Sequence, residues 1–199
     1  MKTVISGLRG DMDNIYGMRQ DEAFQPLVQV DGDGEIEMAY DKSVAIRATA
    51  LCGREFGQDY DPVKLVWSAS RRKKTSDVHT MLSPFLVFSG KAFDALAPLL
   101  HDSGEILQVE APIKSMLGFH VTRVVEGAVD MEASKFKIYP RATVFNKIYL
   151  LGSRIEGVDI FRLKESPATV FVSERFRALV ERNKLKGFDF GEVISQSHK

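Results

Sequence analysis

The chain has 199 residues, of which 44% are hydrophobic and 27% charged, enough to bury the core of one domain or two small ones and unlike a disordered or fibrous sequence. No apolar stretch approaches the roughly 18 to 20 residues that span a bilayer, and the charged opening MKTVISGLRGDMD does not read as a secretory signal, so the expected location is the cytoplasm. The formal net charge is zero, yet residues 1–61 hold 12 Asp and Glu against 6 Lys and Arg, a balance of −6 that the rest of the chain offsets.

In chain order, the first 42 residues are rich in Asp, Gly and Gln and predict loops with short strands near Phe24–Val30 and Glu35–Tyr40. DPVKLVW predicts a strand ending at Trp67, and Arg71–Lys74 a basic loop. SPFLVFS predicts a strand that runs into a helix capped by Ser89, because a serine hydroxyl accepts from an N–H that the first helical turn leaves unpaired. Phe93, Leu96, Ala97 and Leu100 then give one apolar face, Phe88 is placed to staple onto Phe93, and Pro98 should shorten or kink the helix. GFHVTRVVEGAVDMEASKFKIYP predicts a strand, a turn near Asp130–Ser134 and a second strand, and NKIYLLGSRIEGVDIFRLKE a hairpin whose second arm runs through Phe161.

ATVFVS and the residues after it repeat the earlier pattern. Ser173 is read as a second N-cap, Phe176, Leu179 and Val180 repeat the apolar spacing, and Gly187 stands where the helix should stop. The expected fold is α+β, with short, mostly antiparallel strands, two main capped helices and a strand-helix-strand unit used twice. Residues 1–61 are expected to belong to the same fold as a core over 62–199.

The candidate chemistry is thin. Asp31, Asp33 and Glu35 in DGDGEIE match positions 1, 3 and 5 of a calcium loop, but Ile36 replaces the glycine of position 6 and Lys42 the carboxylate of position 12. An acidic turn is the plain reading. Cys52 is the only cysteine, which excludes an intrachain disulfide and a cysteine-based zinc cluster, and its best reading is a buried structural residue. His79, His101, His120 and His198 show no patterned spacing, and Asp130 and Glu132 lack neighbours that would complete a metal site, so a turn is again the simpler reading. The basic loop has no interleaved aromatics, which argues against direct nucleic-acid binding.

Four segments in order, SDVHTMLSPFLVFSGKAFDALAPLL, VDMEASKF, IEGVDIFRLKE and VFVSERFRALVERNKLKGFDFGEV, resemble the Imm-eleven group of bacterial polymorphic-toxin immunity proteins. Together they cover about residues 76–195. The resemblance implies a cytoplasmic, non-catalytic inhibitor that binds a cognate toxin, with no cofactor, no metal and no membrane, and it is compatible with a homodimer. It carries no catalytic residues across. A basic toxin acting on nucleic acid would suit an acidic surface, which makes Asp31, Asp33, Glu35 and Glu37 the partner-binding candidates and leaves Ser89 and Ser173 as structural caps. The alternative function is a metal-dependent hydrolase or nuclease built from scattered Asp, Glu and His residues.

Overall fold

The computed structural model describes residues 14–36, 40–68, 74–139 and 142–197. Its first part runs β1 (Ile15–Gly17), β2 (Arg19–Gln20), β3 (Leu27–Val30), α1 (Val44–Ala50), β4 (Val63–Trp67), β5 (Val78–His79), β6 (Phe85–Ser89), α2 (Gly90–Leu100), β7 (Gly104–Glu110) and β8 (Met116–Val121). The second runs β9 (Val124–Val125), β10 (Lys135–Tyr139), β11 (Ala142–Lys147), β12 (Tyr149–Leu151), β13 (Ile160–Leu163), β14 (Ser166–Ser173), α3 (Glu174–Arg182), β15 (Phe188–Asp189) and β16 (Val193–Ser197). One six-stranded sheet has the order β12-β16-β1-β14-β13-β9, the other β3-β4-β7-β8-β6-β5, and two short pairs, β10-β11 and β2-β15, stand beside them. The fold is α+β and mostly antiparallel.

The uninterrupted apolar runs have a simple cause. Along β6, Leu86 and Phe88 enter a central core while Phe85 and Val87 enter a second one, so a strand with period-2 side chains is apolar at every position. Along β14, Val170 and Val172 enter that same central core and Phe171 a third. The central core therefore receives strands of both sheets together with the apolar faces of α2 and α3. The second core is completed by Val44 and Ala48 of α1, the third by residues such as Leu150, Ile155 and the half-buried Phe145 of β11.

Both predicted caps are N-caps. Ser89 Oγ accepts from Ala92 N–H at 3.1 Å and Ser173 Oγ from Phe176 N–H at 3.3 Å. Each serine also donates from Oγ to an aspartate just before a strand, Asp77 at 2.7 Å and Asp159 at 2.6 Å, and from its backbone N–H to that aspartate's carbonyl. The repeated unit thus includes an aspartate that was not part of the expected module. Its second strand is not repeated: β7 has seven residues inside a large sheet, whereas β15 has two and pairs with β2.

Several expectations need correction. Residues 146–165 do not form the expected hairpin: β12 pairs with β16, while β13 turns back through Lys164–Glu165 onto β14. Glu35 belongs to a turn and Tyr40–Lys42 to a 3-10 turn, so the described part of Glu35–Tyr40 is not a strand. The helix α2 is not the shorter copy, since it runs eleven residues against nine for α3; Pro98 lies in its last turn, where few helical bonds remain to be lost. Gly187 does not stop α3. Lys184, at φ 50, ends it: Lys184 N–H donates to Glu181 O and Leu185 N–H to Val180 O, the paired bonds of a Schellman motif. α1 itself was not expected.

Candidate partner-binding surface

The acidic turn is built by one of its own carboxylates. Asp31 Oδ1 accepts from the N–H of Asp33 at 3.0 Å and of Glu35 at 2.9 Å, while the Asp31 N–H donates to Glu35 O and Gly34, at φ 88, donates to Asp31 O. A side chain that bonds amides two and four residues on folds the loop locally. Asp31 therefore spends an oxygen inside the turn, and Asp33 and Glu35 are left exposed at its tip. Glu37, the fourth candidate, lies outside the described residues, as do His198 and Arg71–Lys73 of the basic loop.

Two concavities adjoin the turn. A depression of about 190 Å³ is lined by Val28, Gln29, Ile36, Ser43, Met81 and Leu82, with Ile36 57% and Met81 62% exposed. Two large apolar side chains are thus exposed around one depression. A larger cleft of about 550 Å³ gathers Asp31, Asp41, Asp61 and Glu110 together with Lys42, Arg47 and Lys64. The N-terminal acidity is thus partly neutralised in the cleft and least diluted at the tip of the turn.

The remaining candidates are dispersed. Asp130 is buried, and its Oδ1 accepts from the N–H of Glu132 at 3.1 Å and Ala133 at 3.2 Å, shaping the turn before β10. Cys52 is exposed rather than buried, because it sits, at φ 51, in the surface turn that follows α1. His79 and His120 are buried, each pushed down to about 4 chiefly by loss of hydration; Arg162 lowers His120 further. His101 is exposed beside Asp102. Among the described residues, no group of three or more His, Cys, Asp or Glu is placed to hold a metal ion.

Arg162 is a residue whose importance the sequence conceals. It lies on β13, fully buried, and donates from Nη1 to the carbonyl of Ala48 in α1 at 3.0 Å and to Pro167 O at 3.3 Å, while Nε and Nη2 have no hydrogen-bond partner among the described residues. Burial lowers its pKa. His120 Nε2 lies 3.2 Å from the same Ala48 carbonyl, so two side chains from different sheets meet at one helical peptide. A cation in an IFRL strand reads as solvent-facing, and no local pattern announces a partner more than a hundred residues away.

Residues 117–195, from β8 to β16, match the immunity protein family Imm11. This is the family that the four segments resemble, but the matched region begins at Leu117, so it includes Asp159 and Ser173 and leaves Asp77, Ser89 and the acidic turn outside. No curated protein gives a significant match. No helix among the described residues is long and apolar enough to cross a membrane.

Proposed function

We propose that this protein is a cytoplasmic immunity protein that binds and neutralises a cognate bacterial toxin, as an inhibitor and without catalysis. The observation that carries the reading is the family match over residues 117–195. The toxin is a basic protein acting on nucleic acid, and it meets the acidic turn: Ile36 and Met81 supply an apolar anchor, while Asp33 and Glu35 at the rim speed its approach. Asp31 contributes by holding the loop in shape. The hydrolase alternative is the weaker one, since Asp130, its most buried carboxylate, is turned onto backbone amides.

The test is binding of the purified chain to the product of the adjacent gene, followed by the Asp33→Asn/Glu35→Gln double variant at two salt concentrations. The expected result is association slowed several-fold with a flatter salt dependence and little change in dissociation. Wild-type association at low salt would remove the turn from the interface. Metal-dependent turnover of nucleic acid by the chain alone, lost on changing Asp130 or Glu132, would replace the inhibitor reading with the enzyme.

A further inference from the structure

The third core is open at one end. Between the β10-β11 ribbon and the face of the first sheet lies a groove of about 480 Å³, with Gly17, Phe171 and Ile194 on the sheet side and Val144, Phe145 and Ile148 on the other. Phe171, Phe145 and Ile194 belong to the third core, so the groove continues that core to the surface. At Gly17, which pairs with Phe171 of β14, a Cβ would meet nothing within 4 Å. The floor is thus bare where every neighbouring strand position carries a side chain.

The surroundings are apolar and basic. Val144 and Val193 line the groove and each is 49% exposed, and Ile138 at 75% and Tyr139 at 52% continue along the ribbon. Arg19 and Lys147 line it against the single carboxylate of Glu192, and Lys135 and Lys137 are exposed on the adjacent strand. Among the described residues neither Arg19 nor Lys147 belongs to an ion pair, and the Lys147 ammonium is held 4.8 Å from the centre of the Tyr149 ring.

We propose that this groove takes an extended, acidic segment of a protein partner, with apolar side chains set on Gly17, Val144 and Ile194 and carboxylates on Arg19 and Lys147. An extended chain fits because strands β1, β14, β16 and β11 line the site, and alternate side chains of such a segment point to the floor and to the rim. The groove is joined to the acidic turn's side of the molecule. Gln20 N–H donates to Thr80 Oγ1 at 2.9 Å and Ser83 Oγ to Ala168 O at 2.8 Å, tying the segment that carries Met81 to residues next to Arg19 and Thr169 of the groove. One partner reaching from Met81 to Val144 would touch both. Only the identity of that partner as a toxin rests on the immunity reading; the groove is testable without it.

The probe is a capped hexapeptide of alternating Glu and Val, compared with its Lys-Val counterpart, titrated into the full chain and followed by amide NMR. The acidic peptide should bind about tenfold tighter than the basic one, with shifts centred on Gly17, Val144–Lys147 and Ile194. Gly17→Val fills the floor without a left-handed backbone to strain, and should weaken binding about tenfold at unchanged thermal stability. Should that variant not fold, Arg19→Ser/Lys147→Ser tests the rim on the surface and should abolish the preference for the acidic peptide. Equal binding of both peptides, shifts confined to other surfaces, or unweakened binding in both the folded Gly17 variant and the rim variant would overturn the proposal. Peptide binding without any complex with the adjacent gene's product would keep the groove and sink the immunity reading.

Discussion

Ser173 and Asp159 hold each other by two bonds, Oγ to carboxylate at 2.6 Å and N–H to carbonyl at 3.0 Å, while the same Oγ caps α3. Ser89 and Asp77 repeat the arrangement at α2. Ser173→Ala should therefore cost more than an isolated cap, about 2 kcal/mol, because it also leaves a largely buried carboxylate short of a donor. In a double-mutant cycle with Asp159→Ala, urea unfolding should return a coupling of about 1 kcal/mol. Additive effects would mean that the cap acts alone. Lost partner binding at unchanged stability would place Ser173 in a site.

Acid should weaken the fold through His79 and His120. Each is held neutral at about 4, against 6.5 for the free side chain, so the unfolded chain binds their protons first. Their contribution is complete above pH 6.5, is lost as pH falls from 6.5 to about 4, and changes no further below, with a ceiling of roughly 3 kcal/mol for each. His79 is the cleaner test, because neither ring nitrogen has a hydrogen-bond partner among the described residues and the ring lies 5.8 Å from that of Trp67. Urea midpoints of His79→Phe should fall less steeply than wild type between pH 6.5 and 4; parallel curves would refute the assignment.

Removing residues 1–61 should abolish cooperative unfolding of the remainder. The cut takes away β1, which lies between β14 and β16, together with β3 and α1. A fragment of residues 62–199 that melts in a single sharp calorimetric transition would show instead that the acidic segment is an appendage to an independent core.

Arg162 should be replaceable by shape but not by space. Arg162→Met keeps much of the volume, discards a charge that burial disfavours and leaves Ala48 O within reach of His120, so stability should stay within about 1 kcal/mol of wild type. Arg162→Ala should lose about 3 kcal/mol to the cavity. If Met were as damaging as Ala in chemical denaturation, the guanidinium bonds to Ala48 and Pro167 would outweigh the packing.

What the sequence revealed was local. The serine caps and the strands ending at Trp67 and beginning at Lys135 depend on spacings within a few residues, and they stand where expected. α1 escaped notice because seven residues after a serine that makes no capping bond give little periodicity, and its stability comes from packing Val44 and Ala48 into a core. The hairpin expected over residues 146–165 does not form because β12 takes its partner β16 from a distant part of the chain, while β13 turns onto the strand that follows it, β14. The acidic turn was visible as charge, but only the fold separates Asp31, which shapes the loop, from Asp33 and Glu35, which face solvent. The groove at Gly17 was invisible, since it depends on what fails to cover a strand.

The place of β1 also governs the time at which the protein comes into being. Ile15 lies opposite both Ser173 and Ile194, so the first described strand waits for partners made far later in the chain. Until Val193–Ser197 has left the ribosome, β1 has an open edge and the sheet is incomplete. Such a sheet closes all at once, governed by contacts between residues far apart in the chain, which favours slow, concerted folding over piecewise assembly.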